Sequence, residues 1–196
     1  MANSSSKSGV SQKSGIGKQG APKTPEEALA NANAANYNKE RGYQVNCQRV
    51  VWAYELQRRG YDVEALPNYD NLGYGTNWHS IVDGKVDRIG LADNLWQKTT
   101  NAKNAKKATE IMAQWGEGSR AAIRFSRARG GGHVFNVEYK NGKIEVFEAQ
   151  TGRRPTSLAK YLTEQKAHPN YVEIFRTDNL KFNNSEIPKY VKKRGS

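Results

Sequence analysis

The sequence predicts an α+β domain, and three observations carry the prediction. Residues 46–60 read as one helix with both ends marked. Residues 133–150 read as two strands joined by Asn141-Gly142, the strongest short hairpin signal. Helical patterns at 104–115 and 157–166 flank that hairpin, with further strands at 120–125 and 171–176.

In chain order, residues 1–23 are rich in Ser, Gly, Lys and Gln and carry no acid. That composition predicts a flexible linker or tail, and without an apolar stretch it is no cleavable signal peptide. Thr24-Pro25-Glu26-Glu27 is a capping box with proline at the first helical position. It opens an Ala/Asn helix to about Ala35. Asn36 to Val45 reads as loop. Asn46 suits the N-cap of the next helix. Gly60 suits the left-handed position past its end, and Arg58 and Arg59 meet the negative end of its dipole. Val50, Val51 and Tyr54 continue the Cys47 face at helical spacing. Tyr61 to Leu66 alternates up to Pro67 and predicts a short strand. Asn68 to Gly90 is turn-rich, with Gly73, Gly75 and Gly84. It carries Trp78 and His79, candidates to line a cleft, with His79 expected at a loop surface. Leu91 to Lys98 predicts a short helix. Asn104 to Trp115 predicts another, with Ala108, Ile111, Met112 and Trp115 on one side and Gly116 closing it. Arg120 to Phe125 is a strand. Gly130-Gly131-Gly132 leads into the strand 133–139, and 143–150 returns from the turn. Ser157 to Lys166 reads as a helix and Tyr171 to Arg176 as a last strand. Residues 179–196 read as a basic tail, which leaves 24–178 as one folded domain.

Composition narrows the function. The chain has 196 residues, 36% of them hydrophobic, which suits one domain plus tails. Its single cysteine excludes an intramolecular disulfide and a Cys-rich zinc site, and three histidines are few for a His-based one. Neither metal nor cofactor is expected. No run of about 18 apolar residues exists to span a membrane. A net charge of +12 suits nucleic acid, an anionic membrane surface or an acidic partner protein. The basic residues are dispersed and surround no nucleic-acid motif, so charge alone favours solubility and basic tails. A basic nucleic-acid-binding module is the non-enzymatic alternative. An acidic protein that silences this one would exploit the same charge.

The chemistry starts at Cys47, the first residue of the 46–60 helix. There the dipole and the unpaired N–H groups favour a thiolate, the nucleophilic form. The same groups can form part of an oxyanion hole. A lone cysteine is ordinarily a small buried hydrophobe, so a partner has to decide its role. The two-residue turn fixes the hairpin register. Lys140 then faces Lys143, Tyr139 faces Ile144, Val137 faces Val146, Phe135 faces Glu148 and His133 faces Gln150. One face of the ribbon is apolar near the turn and ends in His133, Glu148 and Gln150. Glu148, diagonal to His133 at roughly 7–8 Å between Cα atoms, or Gln150, directly across, can accept from one imidazole nitrogen. The other nitrogen then faces a thiol, the nucleophile–base–orienter arrangement of cysteine hydrolases. Gly130–Gly132 permit a close approach of backbone or substrate, or mark a loop.

Four segments now carry a family resemblance: Asn-Cys-Gln-Arg-Val-Val-Trp-Ala-Tyr-Glu-Leu-Gln-Arg-Arg-Gly-Tyr-Asp-Val (46–63), Gly-Ser-Arg-Ala (118–121), Gly-His-Val-Phe-Asn-Val (132–137) and Glu-Ala-Gln-Thr-Gly (148–152). Over about Pro25 to Arg176 the chain resembles the papain-like fold toxin domains. These are protein-glutamine deamidases at the C-termini of bacterial polymorphic toxins and in some phage-associated proteins. The resemblance implies a papain-like core, with the nucleophile helix packed on an antiparallel sheet that bears the histidine. It implies Cys47 as nucleophile and His133 as base. The third position, two before the Gln-Thr-Gly segment, is usually Asp in the family and is Glu148 here, with Gln150 the other candidate orienter. Asn46 and Trp78 are candidate substrate-site residues. The implied activity is deamidation of a target-protein glutamine through a thioester. Cysteine proteolysis and transglutaminase-like acyl transfer use the same pair. The implied setting is a bacterial or phage-encoded effector, secreted or delivered within a larger protein. It would act as a monomer in the target-cell cytoplasm and be held off by an immunity protein.

Overall fold

The computed structural model describes residues 16–18, 20–69, 79–93 and 98–196. Residues 1–15 and 19 of the expected 1–23 linker, the glycines Gly73 and Gly75, Trp78 and residues 94–97 lie outside them.

Thr24 opens α1 (Pro25–Leu29) with both halves of the capping box made. The helix then widens into a π-helical turn, Ala30–Ala34, and a 3-10 turn at Arg41–Gln44 breaks the expected loop. α2 runs Cys47–Arg58. Gly60 follows it at φ 94. The Gly60 N–H donates to Gln57 O at 2.9 Å and the Tyr61 N–H to Leu56 O at 3.1 Å, the Schellman pair that closes a helix on glycine. The start of α2 departs from expectation, because the Asn46 side chain makes no capping bond. A buried polar network claims it instead.

The remaining elements are β1 (Val63–Ala65), β2 (Ile89–Gly90), α3 (Asn101–Trp115), β3 (Arg120–Arg127), β4 (Gly132–Lys140), β5 (Lys143–Phe147), α4 (Leu158–Glu164), β6 (Ala167–Arg176) and β7 (Val191–Lys193). Thr100 and Ser157 cap α3 and α4. Leu91–Asp93, expected to begin a helix, are bends.

Five strands form one antiparallel sheet in the order β2-β6-β3-β4-β5. Successive side chains of a strand point to opposite faces, and this sheet buries both. Phe125, Phe135, Val137, Val146 and Ile174 pack with α3 and α4. Ala122, Val134, Phe147 and Phe175 pack with α2, whose residues Val50–Gln57 are all buried. The hairpin pairs Lys140 with Lys143, Tyr139 with Ile144 and Val137 with Val146, as its turn predicts. The ladder stops at Asn136 and Phe147, so the expected pairs Phe135–Glu148 and His133–Gln150 do not form. Beyond Phe147 the N–H groups of Thr151, Gly152 and Arg153 all donate to Glu148 O, folding the chain into a tight turn.

Residues 179–196 are folded rather than a loose tail. Phe182, Ile187 and Val191 join the α2 core, and β7 pairs with β1. The Arg59 guanidinium lies 4.7 Å from the Phe182 ring centroid. Three well-spaced apolar side chains are enough to hold the segment, whatever its lysine content.

α2 is pinned in register to β4. Asn136 Nδ2 donates to Val51 O at 3.2 Å, and the Tyr54 hydroxyl donates to Glu138 Oε1 at 2.7 Å. The Arg58 guanidinium grips both oxygens of Glu138, at 2.6 and 3.0 Å. From Arg58 back to Cys47 a helix covers ~16 Å at 1.5 Å per residue. From Glu138 back to His133 a strand covers ~17 Å at 3.4 Å per residue. The ion pair at one end therefore brings cysteine and histidine level at the other.

Candidate active site

Cys47 starts α2 and His133 is the second residue of β4. The imidazole Nε2 meets Glu148 Oε2 at 2.5 Å, and the Cys47 side chain is near enough to act on the ring's charge. The ring is clamped between Phe135, stacked at 6.2 Å between centroids, and Phe125, edge-on at 5.9 Å.

Glu148 is 3% exposed and richly satisfied. The Tyr161 hydroxyl donates to the same Oε2 that meets His133, and the Gln150 backbone N–H donates to Oε1 at 3.1 Å. Burial alone pushes the His133 pKa down. The Glu148 carboxylate and the Cys47 sulfur more than reverse this, holding it at about 10. Burial likewise works against the Glu148 carboxylate. The facing imidazolium, Tyr161 and the Gln150 N–H overcome it and keep its pKa below the usual carboxylate range. Burial and the neighbouring carboxylate push Tyr161 far up, so it stays a neutral donor. The site thus favours a charged imidazole between the Glu148 carboxylate and the Cys47 sulfur.

A second network lies beneath. Asn46 Nδ2 donates to Asn33 Oδ1 at 2.8 Å and to Leu66 O at 3.0 Å. Asn33 Nδ2 donates to Gln150 O at 2.8 Å and to Tyr43 O at 3.1 Å. Gln150 Nε2 donates to Asn46 Oδ1 at 3.2 Å. All three residues are buried. The ring of amides ties the residue before Cys47 to the turn that presents Glu148.

A cavity of about 710 Å³ opens over Cys47, His133, Glu148, Gln150 and Thr151. Of the residues singled out in the sequence, Cys47, His133 and Glu148 come together. The Gln150 side chain turns to Asn46, and its backbone alone supports Glu148. Asn46 is buried below the cavity rather than lining it. Trp78 lies outside the described residues. His79 is in a turn, as expected, but half-buried: it sits edge-on to Trp52 and Phe175, and burial, then Arg88 and Arg124, lower its pKa to about 4. Tyr161 and Asn33 were missed. Tyr161 is one of several apolar-face positions on its helix, and Asn33 sits in an Ala/Asn repeat, so nothing local marks either one. No described helix is long and apolar enough to cross a membrane.

A family model described as papain fold toxin 1, glutamine deamidase, matches residues 45–153. The match takes in Cys47, His133 and Glu148, and stops short of Asn33 and Tyr161. No curated protein and no solved structure matches the chain.

Proposed function

The chain belongs to the papain fold toxin 1, glutamine deamidase family, and from that premise we propose that Cys47, His133 and Glu148 deamidate a glutamine side chain of a target protein. The observation that carries this is the single line Cys47–His133–Glu148, at the edge of a cavity large enough for a side chain. With its proton passed to His133, the Cys47 sulfur attacks the carboxamide carbon as a thiolate. The oxyanion that forms is stabilised at the N-terminus of α2, the positive end of its dipole. The His133 imidazolium gives its proton to the leaving nitrogen, ammonia departs and a thioester remains on Cys47. Neutral His133 then takes a proton from water, which attacks the thioester and releases glutamate. Thr151 Oγ1 is buried and unpartnered among the described residues, and it lines the cavity. A substrate carboxamide would give it a partner.

The setting is that of a toxin effector, with an acidic protein covering the basic site as the natural inhibitor. Incubating bacterial and host-cell lysates with the wild-type chain or Cys47→Ala, followed by peptide mass spectrometry, tests the proposal. Glutamine-to-glutamate conversions of about one dalton are expected with the wild type alone. New chain termini in place of conversions would turn the assignment to proteolysis. Glutamine–lysine crosslinks would turn it to acyl transfer.

A further inference from the structure

We propose that the substrate glutamine sits in a segment carrying Asp or Glu side chains beside it, read by Arg127 and Arg153 with help from Arg124. The inference rests on the deamidase assignment and adds the substrate's chemical character. The three arginines line the cavity over Cys47, and Glu148 is the only carboxylate among the described lining residues. Glu148 is already committed to His133 and Tyr161. The Arg127 guanidinium donates only to neutral oxygens: Gln165 O at 3.0 Å, Gln165 Oε1 at 3.1 Å and Gly132 O at 3.2 Å. The Arg153 side chain is 58% exposed, and Glu164, its carboxylate partner, stands 3.8 Å away. Arg124 is paired with Glu173 at 2.9 Å and contributes least. Arg129 extends the same β3–β4 loop, exposed. Tyr37, Gln44, Val45 and Asn68, also among the described lining residues, are neutral.

Apart from Glu148, the ionic side chains among the described lining residues are cationic or His133. Guanidinium forks match carboxylates two bonds at a time, so an acidic residue flanking the glutamine would lay its carboxylate against these arginines. Single-stranded nucleic acid asks for stacking aromatics as well as cations. Among the described lining residues the aromatics besides His133 are Tyr37 and Tyr161, and Tyr161 is tied to Glu148. A protein segment fits better.

The test uses three peptides of equal length around one glutamine, flanked by Asp and Glu, by Ser and Asn, or by Lys. Binding to Cys47→Ala is followed by fluorescence anisotropy, and deamidation by the wild type through ammonia release. The acidic peptide is expected to bind about threefold to tenfold tighter than the neutral one at low salt, with the Lys peptide weakest and the spread shrinking as salt rises. Added to Cys47→Ala, Arg153→Glu should weaken the acidic peptide and tighten the Lys peptide, a gain that general damage would not produce. Equal binding of all three would overturn the inference. So would an unchanged order with Arg153→Glu, or tighter binding of a single-stranded RNA oligomer than of the acidic peptide. Charge-ranked binding with no ammonia from any peptide would sink the deamidase assignment and leave the preference for acidic segments. Ammonia from all three at equal kcat/KM would do the reverse.

Discussion

His133 and Glu148 hold each other in their charged forms, and stability should follow pH accordingly. His133 rises from an ordinary ~6.5 in the unfolded chain to about 10 in the fold. Its contribution is fully present below the unfolded value and is lost as pH climbs through the folded one. The Glu148 pKa is lowered, so its contribution is present above ~4.5 and is lost as pH falls through the depressed value. Thermal melts from pH 5 to 10 should show wild-type stability declining above about 6.5, and Glu148→Gln should flatten that decline. An equally steep alkaline loss in Glu148→Gln would remove Glu148 as the cause. In kinetics, Glu148→Gln should lower kcat by roughly 10²–10⁴-fold, the scale seen when a base loses its orienting carboxylate. Gln150→Ala should cost less, since its side chain reaches Asn46 and not His133; the opposite ranking would give Gln150 the orienting role. Tyr161→Phe removes a donor to a buried carboxylate, worth about 1.5–3 kcal/mol, and should lower both melting temperature and kcat. Cys47, His133 and Glu148 were legible because a helix start and a two-residue turn are local signals. Tyr161 and Asn33 act through partners far away in sequence. At Asn46 the local capping preference lost to a buried amide network that only the folded chain assembles.

The α2–β4 register decides whether Cys47 and His133 meet. Glu138→Gln would strip Arg58 of its partner and should destabilise by about 3 kcal/mol, as breaking a buried ion pair does. It should also lower kcat by letting Cys47 slide against His133. Tyr54→Phe removes one hydrogen bond of the same carboxylate and should cost less, toward the lower end of about 1.5–3 kcal/mol. Urea melts and kcat on both variants check the order; a larger effect of Tyr54→Phe would mean that the ion pair does not set the register. The sequence showed each element but not this join, because Arg58 and Glu138 are 80 residues apart. It read the hairpin correctly near its turn, where register is local, and wrongly at its far end. There the triple acceptance at Glu148 O turns the strand away and still leaves its carboxylate on His133.

At the scale of the whole molecule, the sheet separates two cores, and the C-terminal segment completes one of them. Deleting residues 179–196 removes Phe182, Ile187 and Val191 from the α2 core. At about 1.5–3 kcal/mol for each buried side chain, the loss rivals the whole stability of a domain. The truncated chain should lose its cooperative thermal transition; a truncated chain with wild-type melting would restore the view of this segment as a tail. Average composition misled here, because lysines flanking a few apolar residues look like a solvated run. The central claim is that one thiol, placed by α2 against a histidine on the sheet, carries the acyl group of a glutamine side chain. Acid-quenched mass spectrometry of the enzyme during turnover of an acidic glutamine peptide tests it most directly. An adduct of the peptide less ammonia, mapped to Cys47 and lost along with ammonia release in Cys47→Ala, is the predicted result. Ammonia release that continues unchanged in Cys47→Ala, with no adduct on the wild type, would contradict it.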